Sequence, residues 1–348
     1  MGYLFNLLRR GPAAEPAPDL PQDDWTRAMF TSELAPQLEG PDGKVLVWTI
    51  RDAASRATIT DQFKANADEY HRRYSASDHF EGLFRKGLLA TGIAVAERPL
   101  ILDIGSGSGV NSVVPCRRLF RGARIVATDL SAELLAMLAQ YLVDEGASEE
   151  VCCVQMDAMS DHVAPGAFDL VTGASILHHL DSPEMGVAAA ARALRPGGHA
   201  IFFEPFNGWG IVRLAFERIL VEGELRGLPL DPLVDDALRR LIKDVACRSA
   251  PDPDIFAVLD DKWLFSRTQM EEAGRAAGFE TVRFVAHNDH PKLYRNTAAV
   301  HLRLATGRSD LELPPWALSI LESFDAAMPR DAKRELMMEG TVVMTKAR

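Results

Sequence analysis

The stretch ILDIGSGSGVNS, residues 101–112, decides the fold class of this chain. An apolar run ends at Asp103, after which Gly105, Gly107 and Gly109 alternate with serines and a helix is predicted to begin. Glycine permits a tight turn and lets a backbone approach a ligand closely at a helix N-terminus. A glycine-rich loop after a strand is a weak indication by itself, so the segments around it decide its meaning.

Strands and helices alternate on both sides of this loop, from about residue 100 to residue 205. Such alternation implies parallel strands joined by helical crossovers, and the nearly continuous apolar runs are typical of strands covered on both faces. Ser131 is predicted to cap one crossover helix, and Ser182 to open another that Gly197 closes. The predicted strands are Pro99–Ile104, Arg124–Asp129, Val151–Asp157, Phe168–Gly173 and Gly198–Glu204.

Three aspartates stand at the carboxyl ends of the first three of these strands, where ligands of open α/β sheets bind. Asp103 precedes the glycine loop, Asp129 ends the second predicted strand and Asp157 ends the third. A carboxylate at Asp129 can accept hydrogen bonds from both hydroxyls of a ribose, and Asp157 can accept from an adenine amino group. One such aspartate is usually a cap or turn residue, but three beside a glycine loop favour a nucleoside site.

The spacing of the loop and the charge of Asp103 bear on which nucleoside cofactor binds. A dinucleotide loop reads G-x-G-x-x-G, whereas this loop reads G-x-G-x-G, two residues after an acid. The pyrophosphate of NAD would be repelled by Asp103, while the ammonium and sulfonium of S-adenosylmethionine would be attracted to it. The electrostatics therefore favour the sulfonium cofactor.

With these features the sequence resembles the class I S-adenosylmethionine-dependent methyltransferases. The resemblance implies an α/β fold, a Rossmann-like, doubly wound, seven-stranded and mostly parallel sheet whose last strand is reversed, which GTVVMTKA near the C-terminus would supply. The matching segments are LDIGSGSG (102–109), ATDLS (127–131), VQMDAM (154–159), FDLVTGASILHHL (168–180), LRPGGHAIFFEP (194–205) and the later FSRTQMEEAGRAAGFETVRF.

The resemblance also implies a set of residues that hold S-adenosylmethionine. The glycine loop would hold its amino-acid part near Asp103, Asp129 its ribose, and Asp157 its adenine. A helix with Tyr70, His71 and Tyr74 would cover it, or these side chains would only be packed half-buried. The implied cofactor-binding residues are Asp103, Gly105, Ser106, Gly107, Ser108, Gly109, Asp129, Leu130, Asp157, Ala158, Ala174, Ser175 and Tyr74.

Catalysis is less strongly indicated by the sequence. Methyl transfer is an in-line displacement that an enzyme can promote by alignment, although an oxygen or carbon nucleophile often also needs a base. His178 and His179 follow the fourth predicted strand and could supply that base, or could simply orient a helix. Glu204 ends the fifth strand and could bind an amine, stabilise positive charge or cap the next segment. His287 and His290 lack a third ligand, so no metal site is predicted.

The charge and composition of the chain bear on its partners and location. Asp and Glu outnumber Lys and Arg by 49 to 38, which gives a net charge of −11 and argues against nucleic acid. No stretch approaches the roughly 18–20 apolar residues of a membrane span. The first residues, MGYLFNLLRRGP, reverse the order of a secretory signal, and the four cysteines fit buried thiols. The sequence predicts a cytoplasmic protein without a membrane or nucleic-acid partner.

The predicted organisation places the insertions at the ligand edge of the sheet. Helical insertions there would form a lid that selects a small-molecule acceptor, and the N-terminal arm could serve a homodimer. The predicted segments are an arm and linker (1–59), the methyltransferase core (60–205), a first insertion (206–262), a core helix and strand (263–287), a second insertion (288–338) and the final strand (339–348).

Two other functions stay open at this stage. One is a nicotinamide-dependent oxidoreductase on a related sheet, against which the loop spacing and Asp103 count. The other is a scaffold that keeps the cofactor site but has lost catalysis. For a methyltransferase, the acceptor atom could be oxygen, nitrogen or carbon.

Overall fold

The computed structural model describes residues 22–40, 43–51, 78–249 and 259–348 of the chain. The predictions for the N-terminal arm up to residue 21 lie outside the described residues. The helix predicted to carry Tyr70, His71 and the proposed cofactor contact Tyr74 also lies outside them.

The described residues form an α/β sheet flanked by helices, together with a second group of helices. Among the helices of the described ranges, none has the length and apolar composition of a membrane span. The strands are β1 (Leu34–Glu39), β2 (Val45–Ile50), β3 (Leu100–Ile104), β4 (Arg124–Asp129), β5 (Val151–Gln155), β6 (Phe168–Ala174), β7 (Leu194–Pro205), β8 (Phe279–Ala286) and β9 (Glu339–Lys346). The helices are α1 (Gln22–Ala28), α2 (His79–Thr91), α3 (Val113–Leu119), α4 (Ala132–Asp144), a 3-10 turn (Leu177–His179), α5 (Pro183–Ala193), α6 (Trp209–Arg226), α7 (Pro232–Ser249), α8 (Arg267–Ala276), α9 (Leu293–Thr306), α10 (Pro315–Ala327) and α11 (Arg330–Glu335).

The strand order is β1-β2-β5-β4-β3-β6-β7-β9-β8. Strands β5, β4, β3, β6 and β7 pair in parallel. The Gly197 N–H donates to the Ala347 carbonyl at 3.1 Å, and the His199 ring bonds the Thr345 hydroxyl at 3.1 Å. Residue numbers that increase along β7 therefore lie opposite residue numbers that decrease along β9. The two strands are antiparallel, so the last strand is reversed. The predicted sheet class is confirmed.

The sheet has nine strands in the described residues, not the seven that were predicted. The additional strands are β1 and β2, of which β2 pairs in parallel with β5 and β1 runs antiparallel to β2. Helix α1 ends at Ala28, and Leu34–Glu39 pairs with β2 as a strand. Pairing with the following strand, β2, supplies the backbone partners that a helix would otherwise provide.

The core of the sheet explains why its apolar runs are so continuous. Ile101, Ile125 and Leu170 on neighbouring strands are fully buried, and Leu135 and Leu138 of α4 join the same cluster. The predicted cap of α4 is confirmed, since the Ser131 hydroxyl accepts from the Leu134 N–H at 3.2 Å.

The predicted end of α5 was wrong. Gly197 does not close that helix, which ends at Ala193, because Leu194 already pairs with Phe168 as the start of β7. The register between β6 and β7 then jumps to Leu170 opposite His199. Gly197, at φ +74°, lies in the segment that this irregularity loops out.

The chain divides into two compact units. One holds the described residues up to Glu204 with 268–285 and 341–348, and the other holds Pro205–Arg267 with Ala286–Gly340. In the second unit, α6, α7, α9 and α10 bury a common apolar cluster around Phe216, Leu238 and Leu321. The two segments predicted as separate insertions thus fold together as one helical body, whose role as an acceptor-selecting lid stays a prediction.

Candidate functional site

The loop after β3 has the backbone that its glycines predict. Gly105, Gly107 and Gly109 have φ of +65°, +52° and +81°, a region that other residues rarely adopt. A Cβ on Gly105 would lie 2.5 Å from Ile176 Cδ1, and one on Gly109 would overlap Leu138. A Cβ on Gly107 would meet only a Leu134 carbon at 4.0 Å. Gly107 therefore presents bare backbone on an open side of the loop.

The two serines between these glycines are turned inward. Ser106 and Ser108 are 4% and 7% exposed. The Ser106 hydroxyl donates to the Asp103 carbonyl at 3.2 Å, and its N–H donates to the Thr128 carbonyl at 2.8 Å. A ligand on this loop would accordingly meet main-chain groups more than serine side chains.

Asp103 lies beneath the loop, only 1% exposed. Its carboxylate accepts from the Ser112 hydroxyl and from the Thr172 hydroxyl, each at 2.6 Å. Burial raises its pKa to about 6, against the opposing effect of these hydroxyl donors. Because Asp103 is buried beneath the loop, it would attract the ammonium of the cofactor electrostatically through the loop and not by direct contact. This role stays a prediction.

Substituting Asp103 by asparagine should change how stability depends on pH. Because its folded pKa is above its unfolded value, the contribution of this group is fully present below about pH 4 and is lost as pH rises through about 6. Across that window the wild type should lose on the order of 3 kcal/mol that the variant keeps. Denaturant unfolding of both proteins from pH 4 to 8 measures the difference.

Removing a donor provides the matched test for this group. Thr172→Val deletes one hydroxyl that favours the ionised Asp103, so the pH at which stability is lost should move upward. Equal pH slopes in the wild type and in Asp103→Asn would contradict the raised pKa.

Asp129 joins the end of β4 to the glycine loop. Its Oδ2 accepts from the Gly107 N–H and its Oδ1 from the Ser131 N–H, both at 2.8 Å. Burial raises its pKa, and the backbone donors of Ser131, Gly107 and Leu130 partly oppose this. A carboxylate offers about four acceptor sites, so it retains capacity for hydroxyl donors.

The predicted adenine end of the site follows β5. Asp157 lies two residues beyond the end of the strand, and its Oδ1 accepts from the Met159 N–H at 2.8 Å. Ala158 is buried, and the Leu130 carbonyl accepts from the Gln155 side chain at 2.9 Å. The structure thus places the Asp129 and Asp157 segments after adjacent strands, as predicted from their order.

The turn after β6 has an unusual backbone. Ser175 is exposed and has φ +64°, the one non-glycine residue with positive φ in the described ranges, whereas Ala174 is buried. Strain of this kind often accompanies functional sites. Ile176, the next residue, packs where side chains on Gly105 or Gly173 would stand. The turn therefore adjoins the glycine loop.

The predicted catalytic residues meet at this turn. Glu204 is 2% exposed and its carboxylate lies 2.6 Å from Nδ1 of His178, which is itself 6% exposed. The rings of His178 and His179 lie 4.0 Å apart. Glu204 also accepts the Leu177 N–H at 2.8 Å, so it caps the turn after β6 and not, as the sequence had suggested, the next segment.

Sequence reasoning missed three residues that shape the site. Ser112 and Thr172 bind the Asp103 carboxylate, and Ile176 fills the space beside Gly105. Ser112 lies within the deciding stretch, and Thr172 pairs with Asp103 across β3 and β6, so the strand order would have revealed it. The packing of Ile176 has no signal in the local sequence.

These residues fit S-adenosylmethionine. The bare backbone at Gly107 forms a cradle that a Cβ would fill. The buried Asp103 and the half-buried Asp129 bond hydroxyl and amide donors, and for both, desolvation is the main cause of the raised pKa. Such charge suits a ligand with an ammonium and a sulfonium and opposes a pyrophosphate.

Comparisons with known proteins agree with this geometry. Residues 102–202 match a family model described as a methyltransferase domain. An uncharacterised protein of Synechococcus sp. is 36% identical over 132 residues, 37% of this chain and 31% of that protein. A ubiquinone biosynthesis O-methyltransferase of Idiomarina loihiensis is 30% identical over 147 residues, 41% of this chain and 53% of that protein. The chain thus covers about a third to a half of the length of these relatives.

A solved structure with a similar fold is a phosphoethanolamine N-methyltransferase 2 of Haemonchus contortus in complex with S-adenosyl-L-methionine. It has 14% identity and a TM-score of 0.46, with 85% of this chain and 62% of that chain covered. The matched segment, residues 102–202, is therefore similar to a methyltransferase domain, and several of the curated relatives are O-methyltransferases.

Proposed function

We propose that this protein transfers a methyl group from S-adenosylmethionine to a hydroxyl of a small-molecule acceptor. The observation that carries the proposal is the bond from the Gly107 N–H to Asp129, which ties the open loop to the acid at the end of β4. When bound, the cofactor supplies an activated methyl on a sulfonium. The choice of oxygen rests on the relatives, several of which are ubiquinone biosynthesis O-methyltransferases.

The residues of the site have separate tasks in this proposal. The main chain at Gly107 and the Asp129 carboxylate bind and orient the nucleoside and amino-acid parts, and Asp157 with Ala158 meets the adenine. The buried charge of Asp103 favours the cationic ligand. Alignment of donor and acceptor then supplies most of the rate enhancement.

The class of acceptor, the cellular location and the oligomeric state are also part of the proposal. The net charge of −11 supports a small molecule over a nucleic acid, because phosphates would be repelled. We retain the cytoplasm as the proposed location, and a homodimer as an arrangement that sedimentation would detect.

Calorimetric titration with S-adenosylhomocysteine, with NAD in a parallel run, tests the cofactor. We expect micromolar binding of the homocysteine product and none of NAD, after bound nucleoside has been removed. Binding of NAD alone would instead indicate an oxidoreductase. Turnover of labelled S-adenosylmethionine across a panel of phenols and hydroxyquinones then separates an enzyme from an inactive scaffold.

Asp129→Ala should weaken binding of S-adenosylhomocysteine by about 1–3 kcal/mol, the usual loss for a buried charged hydrogen-bond partner. The same titration measures this change. Asp144→Ala is the matched control, because it removes an equal charge from the exposed end of α4 and should leave the affinity unchanged. Unchanged affinity in a folded Asp129→Ala protein would show that the map of the site is wrong.

A further inference from the structure

Helix α6 has apolar side chains on two opposite faces. One face packs into the apolar cluster of the helical unit, around Phe216. On the other face Leu214, Val221 and Leu225 are 47%, 53% and 79% exposed. Because these three side chains are seven and four residues apart, at 3.6 residues per turn they lie within about 40° of one another. A single exposed leucine needs no explanation, but an exposed row of three apolar side chains indicates a surface that binds a partner.

Charged side chains complete and flank this row. Arg218 lies within it, so we define the α6 stripe as Leu214, Arg218, Val221 and Leu225. Nε of Arg218 lies 3.9 Å from a carboxylate oxygen of Glu222, which flanks the stripe. Helix α6 holds three arginines and three glutamates, so its net charge is zero. A partner that is itself neutral on the contact face therefore suits this helix better than an anionic surface, which the net charge of −11 would also repel.

A second copy of the chain has the matching pattern when the two α6 helices run antiparallel. A two-fold axis that passes midway along the stripe places Leu214 opposite the partner's Leu225, and the symmetry repeats this contact. Val221 then lies opposite the partner's Arg218, whose aliphatic stem can cover it. On the flank, Arg218 comes next to the partner's Glu222, and this pair is also formed twice. The stripe is therefore complementary to itself in both its apolar and its charged groups.

The charges disfavour the parallel arrangement of the two helices. In that arrangement the two-fold axis would run along the helices, and Arg218 would face the partner's Arg218. Two like charges at an apolar seam repel each other, which acts against association. The position of Arg218 within the stripe thus selects the antiparallel pair.

We propose that the α6 stripe is the interface of a homodimer in which two α6 helices pack antiparallel about a two-fold axis. The proposal rests on the homodimer of the proposed function, to which it assigns a surface, and not on methyl transfer. Helix α6 has 18 residues and is about 27 Å long, so one helix pair buries less than the about 800 Å² per partner of a standard interface. The dimer is accordingly weak, with a Kd in the micromolar range.

Leu225→Glu should weaken this association by at least about tenfold, because a carboxylate would be buried against the partner's Leu214. Sedimentation equilibrium of the full chain at a series of concentrations measures the monomer–dimer constant. Leu225 is largely exposed in the single chain, so the variant should fold normally. Leu304→Glu is the matched control, since it adds the same charge at another exposed leucine, on α9, and should leave association unchanged. A wild type that stays monomeric, or a dimer that Leu225→Glu leaves intact, would overturn the proposal.

An exchange of charges tests the antiparallel register. Arg218→Glu and Glu222→Arg each place like charges in both flanking pairs, so each variant alone should associate at least about tenfold more weakly than the wild type. An equimolar mixture of the two variants should regain the wild-type association, because each copy then supplies the charge that the other needs. Loss of the ion pair within one helix cannot produce this recovery, which arises only between copies. A mixture that stays monomeric would contradict the proposed register.

A lipid surface is the other occupant that an apolar helix face could have. Flotation with phosphatidylglycerol vesicles should leave the wild type unbound, and vesicle binding that Leu225→Glu abolishes would overturn the proposal in favour of a membrane-facing surface. Calorimetry with S-adenosylhomocysteine separates this inference from the proposed function, because we expect Leu225→Glu to bind it as the wild type does. A dimer that fails to bind S-adenosylhomocysteine would count against the proposed function alone, so the two failures are distinguishable.

Discussion

Gly208→Ala should destabilise the helical unit by at least about 3 kcal/mol. Gly208 has an ordinary φ of −56°, so its backbone imposes no need for glycine. Glycine is required because there is no space for a side chain. An added Cβ would overlap the Leu336 carbonyl oxygen and lie 2.6 Å from the Met337 carbonyl oxygen. These are backbone atoms, which cannot rotate aside as a side chain would.

The neighbours of Gly208 also prevent it from retreating. The Phe206 N–H donates to the Met338 carbonyl at 2.8 Å, and the Asn207 N–H donates to that of Phe265 at 2.9 Å. Relief of the overlap would therefore break the bonds of the two residues that precede the glycine. Circular dichroism during denaturant unfolding measures the loss.

Gly210→Ala is the control for this prediction. It lies two residues further along, in the first turn of α6, and an added Cβ would meet nothing within 4 Å. Alanine there should stabilise the helix by about 0.5–1 kcal/mol. If Gly208→Ala proved as stable as Gly210→Ala, the close approach of the two backbones would be wrong.

The parts of the fold that could be predicted from the sequence are those in which local pattern and tertiary structure agree. β4 was predicted at its observed bounds, Arg124–Asp129, because a continuous apolar run there ends at a polar residue and both faces of the strand are covered. The Ser131 cap acts within one helical turn of its own position, so a local rule identified it.

The misses occurred where strand pairing overrides the local pattern. β1 is an edge strand with mostly exposed residues, so it lacks the alternation by which strands are identified, and its partner β2 supplies its hydrogen bonds. Gly197 has the positive φ expected after a helix, yet that conformation serves the irregular pairing of β6 with β7. Neither arrangement can be inferred from a window of neighbouring residues.

The same distinction holds at the site. The glycine loop and the order of Asp103, Asp129 and Asp157 were predicted from one short motif and the rule for strand ends. The bonds of Glu204 to the turn were not, because they join positions 26 to 28 residues apart and depend on the register of two strands. The sequence indicated the candidate residues, and the strand register determines what each carboxylate touches.

Gly105→Ala should damage the site more severely than any exchange of a polar side chain in it. The variant needs a left-handed backbone at φ +65°, and its Cβ would stand 2.5 Å from Ile176 Cδ1 and 2.8 Å from Ile176 Cβ. The backbone conformation costs about 1–2 kcal/mol, and overpacking adds about 1–3 kcal/mol. Because Ile176 belongs to the turn that Glu204 holds, the loop and the turn must separate, and binding of S-adenosylhomocysteine should be lost.

Gly107→Ala distinguishes the two sources of damage. Its backbone is strained similarly at φ +52°, but its Cβ would approach protein atoms no closer than 4.0 Å, so stability should fall only by the backbone cost. Calorimetry should nonetheless show at least about tenfold weaker binding, since the methyl group would occupy the cradle that the ligand approaches. Equal stability of the two variants would contradict the packing of Ile176, and normal binding by Gly107→Ala would place the ligand elsewhere.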